Sequence, residues 1–420
     1  MILKRRRRHD SSVDERWSKD LPHELVERIV KWLGLFDFIS CTAVCSSWRS
    51  SVAMAWKSRF ENQFPFILRS VPYNQDCYSL YSPPKDRATN KLRFPKGVVD
   101  RDCTAPYCSG SCGGWLIIAE HNSQPHPKTA RSYFFNPVSG ARIALPPHSD
   151  PSFFVRDRRA GGKVFIKTVA SSDPTDPNCI VAAIALHGYR VAFCRPNDAS
   201  WTLQYPPNTP LRGGYGFTDL HFHEGELYAT VGRMIDVVLI FDSLEVLSQS
   251  QSQGSYKGKL LGASPLEGHI VLRWKNMRNP SFCLITSSSG EMLLVLKEER
   301  ERENDREVLL LVFKCKVTKN VDKTIREGCL KYEVMNNIGE QAIFIENVGA
   351  KTLMAMAKPT DSMPVIDKLG GHGSGNCIYF TNEKDDRIGV YNLVDDTLKY
   401  QLTEGLQRKC SKVWFTPKLS

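Results

Sequence analysis

Cys103, Cys108 and Cys112 are separated by four and then three residues, a spacing at which thiolates can share a soft metal ion. No second Cys-x-x-Cys pair and no histidine at finger-like spacing accompanies them, so loop thiols or small buried residues are expected and no metal. His221 and His223 alternate on one candidate strand and share a face, where they could serve as ligands, although surface positions suit the pattern better. The stretch GGHGSGN, residues 370–376, has the composition of a phosphate cradle, but no convincing helix follows it. The chain has no G-x-S-x-G, no P-loop, no H-E-x-x-H and no complete G-x-G-x-x-G. No catalytic residue and no cofactor is therefore expected.

Lys4, Arg5, Arg6, Arg7 and Arg8 form a basic block that suits nuclear import or an acidic partner, or else a solvated tail. That block supplies five charges of a net +11, and the remaining charges are interspersed in sign, which suits a soluble surface better than a nucleic-acid groove. Thirteen cysteines, an odd number, are scattered along the 420 residues. No N-glycosylation acceptor occurs, no apolar run approaches the ~20 residues that span a bilayer, and the basic start lacks an apolar stretch behind it. A reducing nucleus and/or cytoplasm is the expected location, with the thiols mostly buried.

The elements that would carry any site fall into three parts. Residues 1–16 are polar, charged and without periodicity, the composition of a disordered tail. Residues 17–64 are helical in pattern. From about 75 to 420, short β-branched and aromatic runs alternate with Pro, Gly, Asn and Asp clusters, as in GWLIIAE (114–120), CIVAAIAL (179–186), VVLIFD (237–242), HIVLRW (269–274) and NCIYFTN (376–382). SQSQSQGS (248–255) and KEERERENDRE (297–307) are expected as solvated loops. Divided into four-stranded units of ~40–50 residues, this length gives six to eight blades of a β-propeller. The fold class is therefore mainly β, with a small three-helix unit in front.

In that unit Leu21, Leu25, Ile29 and Leu33 recur every four residues, flanked by Val26, Val30 and Trp32. Gly34 sits where a left-handed helix stop belongs, and a second helix is expected from Asp37, with Phe38, Cys41, Cys45, Trp48 and Val52 on one stripe widened by Ile39 and Val44. Some 45 residues cannot cover so broad an apolar surface alone, so part of it must meet another body.

The order LP-x-EL-x3-I-x2-WL followed by D-x6-VC-x2-WR resembles the F-box. The resemblance implies docking on the Skp-type adaptor of a cullin–RING ubiquitin ligase. It implies a contact set of Leu21, Pro22, Leu25, Val26, Ile29, Leu33, Leu35, Phe38, Ile39, Val44, Cys45, Trp48 and Arg49, with Trp48 packed among the helices. Leu33-Gly34-Leu35, where many F-boxes place a proline, and a serine before Trp48 are minor departures. A helical cap closing the β-domain, or a helix-turn-helix using Arg28, Lys31 and Arg49, are the other readings of this stretch.

CGGWLIIAE, YFFNPVSGARIALPP, FTDLHFHEGELYA, GEQAIFIEN, GNCIYFTN and VWFTPKL resemble the KIB-type domain of a large plant F-box family, with residues 245–330 departing most. That family implies a β-propeller and makes GGHGSGN a turn entering the NCIYF strand. The expected function is the non-catalytic substrate-recognition subunit of a Skp–cullin–F-box ubiquitin ligase, with an unknown target protein and no membrane. The alternative is a nuclear nucleic-acid-associated propeller resting on the basic tail.

Overall fold

The computed structural model describes residues 21–60, 65–71, 74–82, 87–93, 107–119, 131–148, 164–185, 188, 190–204, 216–231, 237–241, 258–263, 281–301, 306–318, 325–345, 353–356, 375–381, 387–402 and 412–417. The basic block Lys4–Arg8, Cys103, residues 248–255, HIVLRW and residues 370–374 lie outside them.

Three helices come first: α1 (His23–Val30), α2 (Leu35–Ser40) and α3 (Ser46–Phe60). The helix expected to open at Asp37 begins at Leu35, and a 3-10 turn at Cys41–Ala43 parts it from α3, which completes the three helices expected of the unit. Short polar side chains there bond to nearby backbone, as such residues do when they compete with helical hydrogen bonds. Thr42 Oγ1 donates to the Ile39 carbonyl at 2.7 Å, and Arg49 Nε donates to the Thr42 carbonyl at 3.1 Å. Gly34 is not the left-handed stop expected of it. It is extended, with φ −66° and ψ 165°, and caps the start of α2, where Phe38 N–H donates to its carbonyl at 2.9 Å.

The β-domain starts at Phe66, ahead of the expected 75. Sheet one holds β1 (Phe66–Val71), β2 (Asn74–Ser82) and β3 (Arg87–Arg93), and the last strand of the chain, β25 (Lys412–Phe415), pairs antiparallel with β1. That pairing joins the two ends of the domain. Sheet two is the meander β4 (Tyr107–Cys112), β5 (Trp115–Ala119), β6 (Ser132–Phe135) and β7 (Arg142–Ala144). Sheet three repeats it with β8 (Phe165–Ala170), β9 (Val181–Ala185), β10 (Arg190–Cys194) and β11 (Thr202–Gln204). Sheet five contains β20 (Ala342–Ile345), β21 (Leu353–Met356), β22 (Cys377–Thr381), β23 (Arg387–Asn392) and β24 (Thr397–Leu402), with β20 and β22 parallel.

Sheet four is twice as wide. One meander, β12 (Phe217–His223), β13 (Glu226–Val231), β14 (Val237–Phe241) and β15 (Gly258–Ala263), joins a second, β16 (Ser281–Thr286), β17 (Met292–Glu301), β18 (Arg306–Val317) and β19 (Ile325–Met335). The join is a parallel pairing of β15 with β19. The described strands therefore make five sheets, not the six to eight blades expected, because two four-stranded units share one hydrogen-bonded sheet.

Edge strands β25, β4, β8, β12, β16 and β21 follow one another around the centre. Apolar clusters fill the space between neighbouring sheets. Leu68 and Leu80 cluster with Leu116 and Ile118, Ile117 with Val181, Val191 with Leu227, Val295 with Ile378, and Tyr379 with Trp414, which returns to sheet one, while Tyr228 clusters with Leu294 between the two meanders of sheet four. Each sheet is thus covered on both faces. That is why β5, β9 and β22 are buried at every position rather than at alternate ones.

KEERERENDRE is not a solvated loop throughout. Glu298 to Glu301 pair with Leu309 to Arg306 as a continuation of the β17–β18 hairpin. Lys297 and Glu298 are buried. Lys297 ion-pairs with Glu299 at 2.5 Å and lies 4.3 Å from the centroid of the Phe380 ring, while burial pushes its pKa down.

Candidate protein-interaction face

Pro22 starts α1: its carbonyl accepts from Leu25 N–H at 3.0 Å and Val26 N–H at 3.2 Å. Its own lack of an N–H costs nothing at a helix start. Around α1, Leu25 and Ile29 are one helical position away from Val26 and Val30, so the apolar stripe spans two neighbouring directions. Val26 and Val30 point inward and are fully buried. They share one cluster with Leu35, Phe38, Val52, Ala55 and Trp56 of the helices and with Phe66, Leu68 and Val413 of sheet one.

Leu25 and Ile29 point the other way, 45% and 43% exposed, and Trp32 and Val44 are 89% and 53% exposed. Fully burying such a side chain is worth about 1.5–3 kcal/mol, and about half of that is unrealised for Leu25, Ile29 and Val44 and nearly all of it for Trp32. The isolated chain thus carries an apolar surface without an internal reason for it.

Several contacts hold this face in place. Phe38 and Trp56 pack ring against ring, with centroids 5.8 Å apart. His23 Nδ1 hydrogen-bonds Ser51 Oγ at 2.5 Å across α1 and α3, and Ser51 Oγ donates to the Ser47 carbonyl at 3.1 Å.

The thirteen expected contact residues separate into three groups. Leu25, Ile29, Val44, Pro22 and Arg49 are exposed. Leu21, Leu33, Ile39 and Trp48 are half-buried and pack on the helical cluster, and Cys45 is also half-buried. Val26, Leu35 and Phe38 lie inside the molecule and support the face from behind. The Trp48 indole nitrogen is buried without a hydrogen-bond partner. Trp32 and Met54 are exposed apolar residues outside the expected set. Trp32 was recoverable, since it follows Ile29 by three residues on the same helical stripe.

The other candidates resolve into structure. Cys108 is buried and donates to the Gly110 carbonyl at 3.2 Å, and no group of three metal-competent side chains occurs among the described residues. His221 and His223 are half-buried rather than on the surface, and both bond Thr286 Oγ1, at 2.7 and 2.9 Å. Burial first, then Lys167 and His223, pushes His221 down to about 3, so it is neutral near pH 7. Asn376, with φ 67°, opens the turn into β22 and accepts from Ile338 N–H at 2.6 Å. Lys167 and Asp219 form a buried ion pair between β8 and β12, and Asp219 Oδ2 also accepts from Leu284 N–H of β16 at 2.6 Å. No helix among the described residues is long and apolar enough to cross a membrane.

A helical unit with an outward apolar face, mounted on a ring of sheets, defines the class of F-box proteins with a propeller. Residues 19–58 match the F-box domain, and residues 80–392 match the KIB1-4 beta-propeller. The chain belongs to the KIB1-4 beta-propeller family and carries an F-box. The F-box/kelch-repeat protein At3g18720 of Arabidopsis thaliana is 28% identical over 196 residues, covering 45% of this chain and 46% of that protein. The F-box protein At3g56470 of the same plant is 24% identical over 212 residues, covering 50% of each. The chain spans about half the length of the curated relatives it matches.

Proposed function

We propose that this chain is the substrate-recognition subunit of a Skp–cullin–F-box ubiquitin ligase, working in the nucleus and/or cytoplasm. The exposed side chains of Leu25, Ile29, Trp32 and Val44, all within the residues matching the F-box, carry the reading. They meet the Skp-type adaptor and, through it, the cullin and RING subunits, while the β-domain holds a target protein. The chain performs no covalent step. It raises the effective concentration of target lysines beside a charged ubiquitin carrier.

The test is reconstitution of the full chain with a Skp-type adaptor and a cullin–RING scaffold, followed by gel filtration. The full chain should co-elute with the scaffold only when the adaptor is present. Leu25→Asp with Ile29→Asp should abolish co-elution without lowering the melting temperature. Undiminished co-elution of that double variant would refute the assignment of the contact.

A further inference from the structure

We propose that Cys112 and Cys179 form a reversible disulfide that clasps sheet two to sheet three. Both sulfurs converge on one atom: Cys112 Sγ–H donates to the Ser172 carbonyl oxygen at 3.3 Å and Cys179 Sγ–H at 3.4 Å. Two contacts to a single oxygen keep the sulfurs within about 7 Å, and the link would draw them to about 2 Å.

The seam between β4 and β8 fixes this register. Tyr107 OH donates to the Phe165 carbonyl at 3.0 Å and accepts from Phe165 N–H at 2.9 Å, and Ser109 Oγ donates to Thr168 Oγ1 at 2.9 Å. A Cβ on Gly110 would sit 1.9 Å from the Thr168 carbonyl oxygen, so the two backbones touch and cannot slide. Cys112 is the next side chain along that seam, opposite Ala170 and Ser172. Cys179 ends the turn between β8 and β9, where its N–H donates to the Asp176 carbonyl at 3.0 Å.

The two thiols differ in access. Cys112 is half-buried, whereas Cys179 is sealed and burial raises its pKa. Hydrogen peroxide is the oxidant. The Cys112 thiolate attacks one peroxide oxygen, the O–O bond breaks, and hydroxide leaves, giving a sulfenic acid. Cys179 then gives up its proton to that hydroxide and attacks the Cys112 sulfur. The S–O bond breaks, the departing oxygen takes a proton, and water leaves. Two electrons pass from the thiol pair to peroxide, which ends as two waters.

The full chain treated with hydrogen peroxide, digested and mapped without reduction should yield a Cys112–Cys179 cross-linked peptide that dithiothreitol removes. The treated chain should melt several degrees higher, because the link crosses two sheets. Cys112→Ala and Cys179→Ala should each lose the peptide, and Cys194→Ala should keep it. A Cys179–Cys194 link, or Cys112 oxidised to sulfinic acid with Cys179 still a thiol, would overturn the proposal. Mapping of the unaltered chain alone decides between these results if a variant fails to fold.

Discussion

Among the described residues six large apolar side chains stand exposed, and five of them, Leu25, Ile29, Trp32, Val44 and Met54, belong to the helical unit. The described residues of the β-domain, which is several times longer, contribute only Val394, at the β23–β24 turn. Its sheets each find a neighbour on both faces, and four of its charged residues, Lys167, Asp219, Lys297 and Glu298, are buried as well. The exposed apolar side chains of the described residues are thus concentrated in the helical unit. Low stability of a poorly packed unit does not explain the difference. Val26, Val30, Leu35 and Phe38 pack as tightly as any core residue, so the exposure is confined to one side.

The most severe way to break the sealed region is to strand one of its charges. Asp219→Ala leaves Lys167 buried without its partner and removes the acceptor of Leu284 N–H, and should cost about 3–5 kcal/mol in denaturant unfolding. Replacing both partners with Lys167→Met and Asp219→Leu should recover only the part due to the stranded charge, since Leu284 N–H still lacks its acceptor.

Adjacent residues of α1 sharpen the contrast. Val30→Ala should lower stability by about 2 kcal/mol and leave adaptor affinity nearly unchanged, because Val30 is inside. Ile29→Ala should shift stability by no more than ~0.5 kcal/mol and weaken adaptor binding at least tenfold. Melting curves together with adaptor titrations read both.

The sealed region should also be the acid-sensitive one. Burial holds His148 down to about 3, and His221 is held to about 3 by burial, Lys167 and His223. The unfolded chain takes up those protons near pH 6.5, so the stability linked to neutral histidine is fully present above that value. It declines as pH falls toward 3, at roughly 1.4 kcal/mol per pH unit for each residue. A melting temperature unchanged between pH 7 and pH 4.5 would contradict this. At the small end, Lys316 and Glu333 pair at 2.8 Å in open solvent, and Lys316→Ala should leave the melting temperature where it is.

Much of this architecture is written in local pattern. β5, β6, β9, β16 and β22 announce themselves as unbroken apolar or aromatic runs, and the Leu-Pro start and Val-Cys-x-x-Trp-Arg order mark the helical unit. The rest depends on information that neighbouring residues do not carry. Leu25 and Val26 have the same chemistry, and nothing in the chain says which side of the stripe meets the core. β2, NQDCYSLYS, has too mixed a composition to stand out, and β25 earns its place by pairing with a strand some 340 residues away. The merging of two meanders into one sheet rests on the parallel β15–β19 pairing, which no turn encodes. Lys297 reads as a solvent residue because its burial is supplied by another sheet, through Phe380.

The central claim is that Leu25, Ile29, Trp32 and Val44 remain wet until an adaptor covers them. Hydroxyl-radical footprinting of the full chain, alone and saturated with a Skp-type adaptor, measures this side chain by side chain. All four should label strongly in the free chain and become protected in the complex, with Val26 and Val30 unlabelled in both. Unchanged labelling of the four on adaptor addition, or Leu25 and Ile29 already protected in the free chain, would contradict the account.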